Sequence, residues 1–515
     1  MAGPIALVAV LSENSSHQAL QEIPDEVAFL EVKGDLANGI SAAWLRGRFV
    51  RQLLYSPGNH LHNGLVAGSL AARHQTLIRA AREYDLIRLD ADFDLSPEVL
   101  AAVPAQKRLI SWEGRSGDVA HLRSIFKRLS AVPARFYSLV SKASQASDGM
   151  RPLLLLKELG RKDVTAFCEG KFGLWSRLLA PHFGAPLVFG SLDRHQASDS
   201  GDPSIRQLME DYGFPQLQPV RELYGMVGDR ISQSPSPRLH NAGYRALGHP
   251  ALFLPFHVEY FEEFWREIIE GPALESLGLS IKGLTIVSPY KEKALAAAAR
   301  HSPMARKSGA TNIFVRKNGL WEAHTTDPES IAGIGKTANT PSPLRVAVIG
   351  CGGAGRAIAA ALHQAGADVT LVNRGEKRGE LAVKLLGLPF VPLSDFRATP
   401  FSLLVNATPI GRDDDSVPFD IETMSGGSTV IDLAYGPRPT PLVIEALARG
   451  ASVIDGHDVL LKQVRKQFQM MSGREMPASI GRHVVTSRAF VDCPLAETNS
   501  HGRDPQLSLA KAPSF

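Results

Sequence analysis

The chain has 515 residues, more than a single hydrophobic core accommodates, so two or three domains are expected. It is 44% hydrophobic and 21% charged, with a formal net charge of +4 spread along its length. That balance excludes a strongly basic nucleic-acid footprint and a low-complexity chain, and leaves a small anionic substrate open.

The first 215 residues alternate short apolar runs with stretches of helical spacing. Strand-like runs fall at 5–11, 27–32, 51–56, 86–90, 108–112, 136–140, 165–168 and 187–191, and a piece such as 116–129 carries its apolar residues at helical intervals. The run at 5–11 is too short to cross a bilayer and has no basic residue before it, so a cytoplasmic chain without membrane contact is expected. Eight alternations in this length predict a compact (β/α)8 barrel over 1–215, although an open doubly wound sheet has the same periodicity.

Three short words stand in this stretch: Leu30-Glu31-Val32-Lys33-Gly34-Asp35, Ile110-Ser111-Trp112-Glu113 and Gly173-Leu174-Trp175-Ser176-Arg177. In that order they resemble the Glu-x-Arg-x-Asp strand, the Ile-Ser-x-His strand and the Gly-x-x-Ser-Arg segment of type I 3-dehydroquinate dehydratase, a barrel often fused to shikimate dehydrogenase. The resemblance implies an imine-forming lysine and a histidine acid/base. Ser138 stands at the lysine position and Glu113 at the histidine position. A hydroxyl cannot form an imine, and a carboxylate lacks the geometry and proton affinity of imidazole. The family's Arg-x-x-x-Glu-Gly-Gly loop reads Pro57-Gly58-Asn59-His60-Leu61-His62-Asn63-Gly64, without the Arg or the Glu. Lys33 replaces a substrate arginine. Lys142 lies four residues past Ser138, about 13 Å along a strand. Arg177 keeps a substrate-binding position. The barrel is therefore expected to be a degenerate dehydratase that packs, dimerises or binds a ligand.

A new pattern starts near Arg221. Leu223 to Asp229 reads as a strand entering a turn, followed by Ser232-Gln233-Ser234-Pro235-Ser236-Pro237-Arg238-Leu239-His240-Asn241. Ser236 stands before a proline in an N-cap placement, so Ser234 and Ser236 are either a carboxylate cradle at a helix N-terminus or part of a simple cap. Gly283-Leu284-Thr285-Ile286-Val287-Ser288-Pro289-Tyr290-Lys291-Glu292, Ser308-Gly309-Ala310-Thr311-Asn312-Ile313 and Ala323-His324-Thr325-Thr326-Asp327 follow. With Ser-x-Ser-Pro, these four words resemble, in order, those of shikimate dehydrogenase. Val287 and Thr325 depart from that pattern, as does Ser330 where the family has Gly.

The strand 345–349 runs into Gly350-Cys351-Gly352-Gly353-Ala354-Gly355, and a helix is expected over 356–364. Strand, glycine turn and helix in this order form a dinucleotide-binding fingerprint. The next strand, 368–372, ends in Asn373-Arg374-Gly375-Glu376-Lys377-Arg378. An NAD-binding protein usually has an acidic residue there; Asn373, Arg374 and Arg378 suit a 2′-phosphate instead, so NADP is the expected cofactor. Val405-Asn406-Ala407-Thr408-Pro409-Ile410-Gly411, Asp432-Leu433-Ala434-Tyr435 and Gly456-His457-Asp458-Val459-Leu460-Leu461-Lys462-Gln463 also resemble shikimate dehydrogenase words.

The resemblance covers about 221–485. It implies a two-lobed α/β unit: a substrate domain at 221–335, completed by 464–485, and a Rossmann NADP domain at 340–463. It further implies reduction of 3-dehydroshikimate to shikimate. Lys291 would be the proton donor and Asp327 its partner. Ser234 and Ser236 would hold the carboxylate, and Asn312, Tyr435 and Gln463 the ring hydroxyls. The cofactor would lie on Gly350 to Gly355, with Asn373, Arg374, Arg378, Thr408, Leu433 and Gly456 around it. Two alternatives stay open: an active bifunctional enzyme and a quinate/shikimate dehydrogenase. Cys168, Cys351 and Cys493 are far apart without ligand or redox spacing, so neither a disulfide nor a metal site is expected. The segment 490–515, rich in Ser, Pro and charge, is expected to be disordered. Oligomeric state is not readable from these patterns.

Overall fold

The computed structural model describes residues 5–11, 17–34, 41–58, 69–115, 117–192, 201–229, 231–331 and 343–486. Asp35, the loop residues 59–64, Cys493 and the tail 490–515 lie outside the described residues.

Eight parallel strands form the first unit: β1 (Ala6–Val10), β2 (Val27–Lys33), β3 (Gln52–Ser56), β4 (Leu86–Asp90), β5 (Arg108–Arg115), β6 (Phe136–Lys142), β7 (Val164–Glu169) and β8 (Leu187–Ser191). Their order is β7-β6-β5-β4-β3-β2-β1-β8, a nearly closed barrel. Across the seam the Leu187 amide donates to the Thr165 hydroxyl at 3.3 Å. The strands are largely buried on both faces because one face fills the barrel and the other lies under helices. Phe29 of β2 and Phe136 of β6 meet edge-to-face at 6.5 Å across the interior. This is the expected barrel, and the open doubly wound alternative falls. β5 and β6 each extend beyond their expected ends.

The second sheet has the order β10-β9-β11-β13-β14-β12. β9 (Glu222–Gly228), β10 (Ala251–His257) and β11 (Ser280–Ile286) run parallel. β13 (Ile313–Lys317) and β14 (Leu320–His324) form a hairpin, and β12 (Arg300–His301) adds a short edge. Asn318 and Gly319 both have positive φ, 50° and 80°, the two-residue turn that matches hairpin twist.

The third sheet is all parallel, in the order β17-β16-β15-β18-β19-β20: β15 (Arg345–Ile349), β16 (Asp368–Asn373), β17 (Phe390–Pro392), β18 (Leu403–Asn406), β19 (Thr429–Asp432) and β20 (Ser452–Ile454). The order reverses between β15 and β18, so the glycine turn after β15 opens at the crevice where such sheets bind ligands.

Five helices frame the cleft and its junction with the barrel: α1 (Ile205–Tyr212), α2 (Ser236–Ala246), α3 (Lys291–Leu295), α4 (Gly353–Gln364) and α5 (Gly456–Ser472). α4 starts three residues earlier than expected, because Gly353 to Gly355 already belong to its first turn. α5 leaves the nucleotide sheet and crosses to the second sheet, where Val464, Phe468 and Met471 join a core with Tyr224 and Ile313. A single hydrophobic cluster runs from the barrel into the second sheet; Trp175 meets Phe256 with centroids 5.5 Å apart. No described helix is long and apolar enough to cross a membrane.

Candidate active site

Lys291 opens α3, after a turn that takes the chain off β11. Its Nζ donates to Asp327 Oδ1 at 3.1 Å and Oδ2 at 3.0 Å. Asp327 is 2% exposed. A carboxylate this deep needs full satisfaction. Asn312 Nδ2 donates to Oδ1 at 3.0 Å, Gln463 Nε2 donates to Oδ1 at 3.1 Å, and the Thr325 hydroxyl donates to Oδ2 at 3.3 Å. Thr325, a departure from the family word, thus supplies a hydroxyl to the same carboxylate.

Asn312 is fixed in turn. Its Oδ1 accepts the Thr326 amide at 2.8 Å. Gln467, one turn after Gln463 on α5, donates to the Thr326 hydroxyl at 3.1 Å and accepts from the Thr285 hydroxyl at 3.2 Å. Gln467 was missed in the sequence; its i+4 spacing from Gln463 was the available signal.

The Ser234 hydroxyl donates to that of Ser236 at 3.2 Å, and the Ser236 amide donates to Ser234 Oγ at 3.3 Å. Ser236 is not the N-cap: it is the first residue of α2, and Pro235 precedes it without a side-chain cap. The first amide of α2 is thus taken by the Ser234 hydroxyl. Burial pushes the Tyr435 hydroxyl above its ordinary pKa, opposed by its hydrogen bond with Ser234 and by the Arg412 cation. Ser234, Ser236, Lys291, Asn312, Asp327, Tyr435 and Gln463 line one cleft of about 530 Å³, and Arg412 faces it from the nucleotide side. Ala354, Thr408, Leu433 and Gly456 line the same cleft, so it is shared by both lobes.

The glycine turn fits a dinucleotide. Gly350 has φ 107°, and a Cβ there would lie 2.9 Å from the Ala407 carbonyl oxygen. A Cβ on Gly355 would fall 1.8 Å from the Gly350 carbonyl. At Gly352 a Cβ would meet nothing within 4 Å, leaving that side of the α4 N-terminus open for a phosphate. Gly353 has a different reason from the one expected: its Cβ would come within 2.6 Å of Ala310 Cβ and 3.4 Å of Lys291 Cβ. It lets the two lobes touch beside the lysine. Cys351 is held by its amide donating to Asn373 Oδ1 at 3.1 Å, and burial pushes its thiol up to about 11. Arg374 and Arg378 stand exposed beyond β16, outside the cleft lining.

Arg356 was also missed. It is fully buried and donates to the Ser308 carbonyl at 2.6 Å, the Cys351 carbonyl at 2.9 Å and Glu292 Oε1 at 2.9 Å. It ties α4 to the residue next to Lys291. Its acceptors lie far apart in the chain, and no local spacing announces them.

In the barrel, the ladder register puts Glu31, Leu86, Arg88, Leu109 and Glu113 on the inner face. Arg88 lies 3.0 Å from Glu31 and 3.8 Å from Glu113, with its guanidinium 5.0 Å from the Phe189 ring centroid. Ser138 is fully buried, in register with Ser111 and Thr165. Lys142 is paired in register with Glu169, four residues beyond Ser138. Arg177, expected to retain anion affinity, lies 2.6 Å from Asp202. An internal carboxylate already occupies its charge.

Three family models match. Residues 45–219 match type I 3-dehydroquinase, 226–314 the shikimate dehydrogenase substrate binding domain, and 346–430 ketopantoate reductase PanE/ApbA. The chain is 26% identical over 432 residues to a chloroplastic bifunctional 3-dehydroquinate dehydratase/shikimate dehydrogenase of Arabidopsis thaliana, covering 78% of this chain and 70% of that protein. It is 32% identical over 260 residues to the NADP(+) shikimate dehydrogenase of Haloarcula marismortui, covering 50% of this chain and 95% of that one. A solved shikimate 5-dehydrogenase of Thermus thermophilus, in complex with NADP(H) and shikimate, is 29% identical with a TM-score of 0.46, over 52% of this chain and 99% of that one. The chain belongs to the shikimate dehydrogenase family and carries a type I 3-dehydroquinase domain on its N-terminal side.

Proposed function

We propose that the chain interconverts 3-dehydroshikimate and shikimate with NADP, and that its barrel has lost dehydratase chemistry. One observation carries the first part: the Lys291–Asp327 ion pair lies in a cleft that also contains Ala354 of the glycine turn. When bound, the nicotinamide supplies or accepts hydride. The chain's own residues do the rest. The turn 350–355, with Asn373, Arg374, Arg378, Thr408, Leu433 and Gly456, binds the dinucleotide. Ser234 and Ser236 hold the substrate carboxylate. Asn312, Tyr435 and Gln463 orient the ring hydroxyls. Lys291 gives its proton to the alkoxide oxygen as the ketone is reduced, and takes it back in oxidation. Asp327 holds the ammonium at that oxygen. The lobes exclude water across the cleft.

The units are read as a barrel over 1–215, a substrate domain over 221–335 completed by 464–485, and a nucleotide domain over 340–463, in a cytoplasmic protein. For the barrel, Ser138 cannot form an imine, and Arg88 engages the carboxylate at the acid/base position. The test is to incubate the full chain with shikimate, quinate or 3-dehydroquinate separately, the first two with NADP and again with NAD. Oxidation of shikimate with NADP and no dehydration of 3-dehydroquinate is expected. Preference for quinate or NAD would overturn the dehydrogenase reading; catalytic dehydration would overturn the reading of the barrel.

A further inference from the structure

α1 is the last helix of the barrel unit, and α2 begins with Ser236. Two residues into α2, Arg238 is 3% exposed and turns back to the barrel. Its Nε donates to Asp211 Oδ1 at 2.7 Å, and its Nη2 lies 2.6 Å from Glu210 Oε2. Asp211 is itself 1% exposed. One turn further on, Asn241 Nδ2 donates to the Asp211 carbonyl at 3.0 Å and to the Phe253 carbonyl at 3.0 Å, and its Oδ1 accepts the Phe253 amide at 2.7 Å. The first two turns of α2 are thus fixed to α1 on one side and to β10 on the other. The hydrogen bond from the guanidinium to Asp211 fixes direction as well as distance, and the Glu210 carboxylate adds a close charge contact. A buried pair of this kind holds only while both partners are in place.

We propose that Glu210 and Asp211 of the barrel unit are positioning residues for the dehydrogenase: through Arg238 they set the angle at which α2 presents the Ser234–Ser236 pair to the cleft. The proposal rests on reading that pair as the carboxylate cradle. It gives a barrel without dehydratase chemistry a role in the reaction next door. The network is built only from the barrel and the substrate lobe, so its loss reaches shikimate and not NADP.

The experiment is steady-state shikimate oxidation by the full chain as Arg238→Met, Arg238→Lys, Glu210→Gln and Ser236→Ala. Loss of both carboxylate contacts is expected to raise the shikimate KM about tenfold in Arg238→Met, with the NADP KM within about twofold. Arg238→Lys should recover part of that loss. Glu210→Gln, at a more exposed position, leaves the Asp211 bond in place and should raise the shikimate KM about threefold; it decides the question if Arg238→Met does not fold. An unchanged shikimate KM in folded Arg238→Met or in Glu210→Gln, or equal rises for both substrates, overturns the proposal. A rise in Ser236→Ala alone leaves the cradle standing without the coupling. No effect in Ser236→Ala removes both.

Discussion

Oδ1 of Asp327 accepts from Lys291, Asn312 and Gln463 at 3.1, 3.0 and 3.1 Å, so one buried oxygen gathers the start of α3, the loop before β13 and the helix returning from the nucleotide unit. The pair with Lys291 is completed at Oδ2, 3.0 Å away. An amide in place of this carboxylate removes the negative charge and cannot accept all these donors. Asp327→Asn is expected to lower kcat by about 10–100-fold through misplacement of the ammonium, with NADP affinity retained. Steady-state rates alongside a cofactor titration check both halves of that expectation.

Arg374 stands exposed beyond β16, while its neighbour Asn373 is occupied by the Cys351 amide. If the guanidinium grips a 2′-phosphate, Arg374→Ala weakens NADPH by roughly 10–100-fold and barely changes NADH. Equal losses for the two cofactors would mean that Arg374 does not contact the phosphate.

Inside the barrel, Arg88 is the partner of Glu31, which is 3% exposed. Arg88→Met leaves that carboxylate buried without its cation and should destabilise the protein by about 3–5 kcal/mol. Adding Glu31→Gln should return much of the loss. Thermal unfolding of the single and double variants measures this; equal destabilisation in both would show that the ion pair is not the cause.

His240 is fully buried and stacks on Phe253 with centroids 4.1 Å apart; burial holds its pKa down at about 3. His182 is held down at about 4 by burial too. Both stay neutral in the folded chain while the unfolded chain takes up protons below about 6.5. Stability is therefore fully present above about 6.5 and falls as pH drops from there toward 4, by roughly 2 kcal/mol per histidine at pH 5. The thermal midpoint should drop between pH 7 and 5. His240→Phe, which keeps an aromatic face against Phe253 and removes one of these buried histidines, should make that drop smaller.

The features legible in the sequence were those carried by local spacing or by family resemblance. Eight apolar runs at barrel intervals and the strand–glycine turn–helix at 345–364 needed only neighbours in the chain to be read, whereas the words around Lys291, Asn312, Asp327 and Gln463 were read through their resemblance to shikimate dehydrogenase. What escaped depends on partners far away. Arg88 looked like a strand residue, because Glu31 and Glu113 are distant in sequence. Arg356 looked like the start of α4, and Arg238 like a polar residue on a helix, until Ser308 and Asp211 came alongside. Gly353 was legible as a glycine but not for its reason, which is the approach of Ala310 from the other lobe. The Ser236 cap was misplaced because Pro235 and Pro237 flank it, and proline spacing alone does not say which residue begins the helix.

The most direct test of the redox assignment is Lys291→Ala in the full chain, with kcat for shikimate oxidation and NADPH affinity measured on the same preparation. With the proton donor gone, kcat should fall at least ~100-fold while NADPH still binds as in the parent chain. Near-parental turnover in that variant would contradict the account, because the ammonium beside Asp327 would then have no part in the proton transfer.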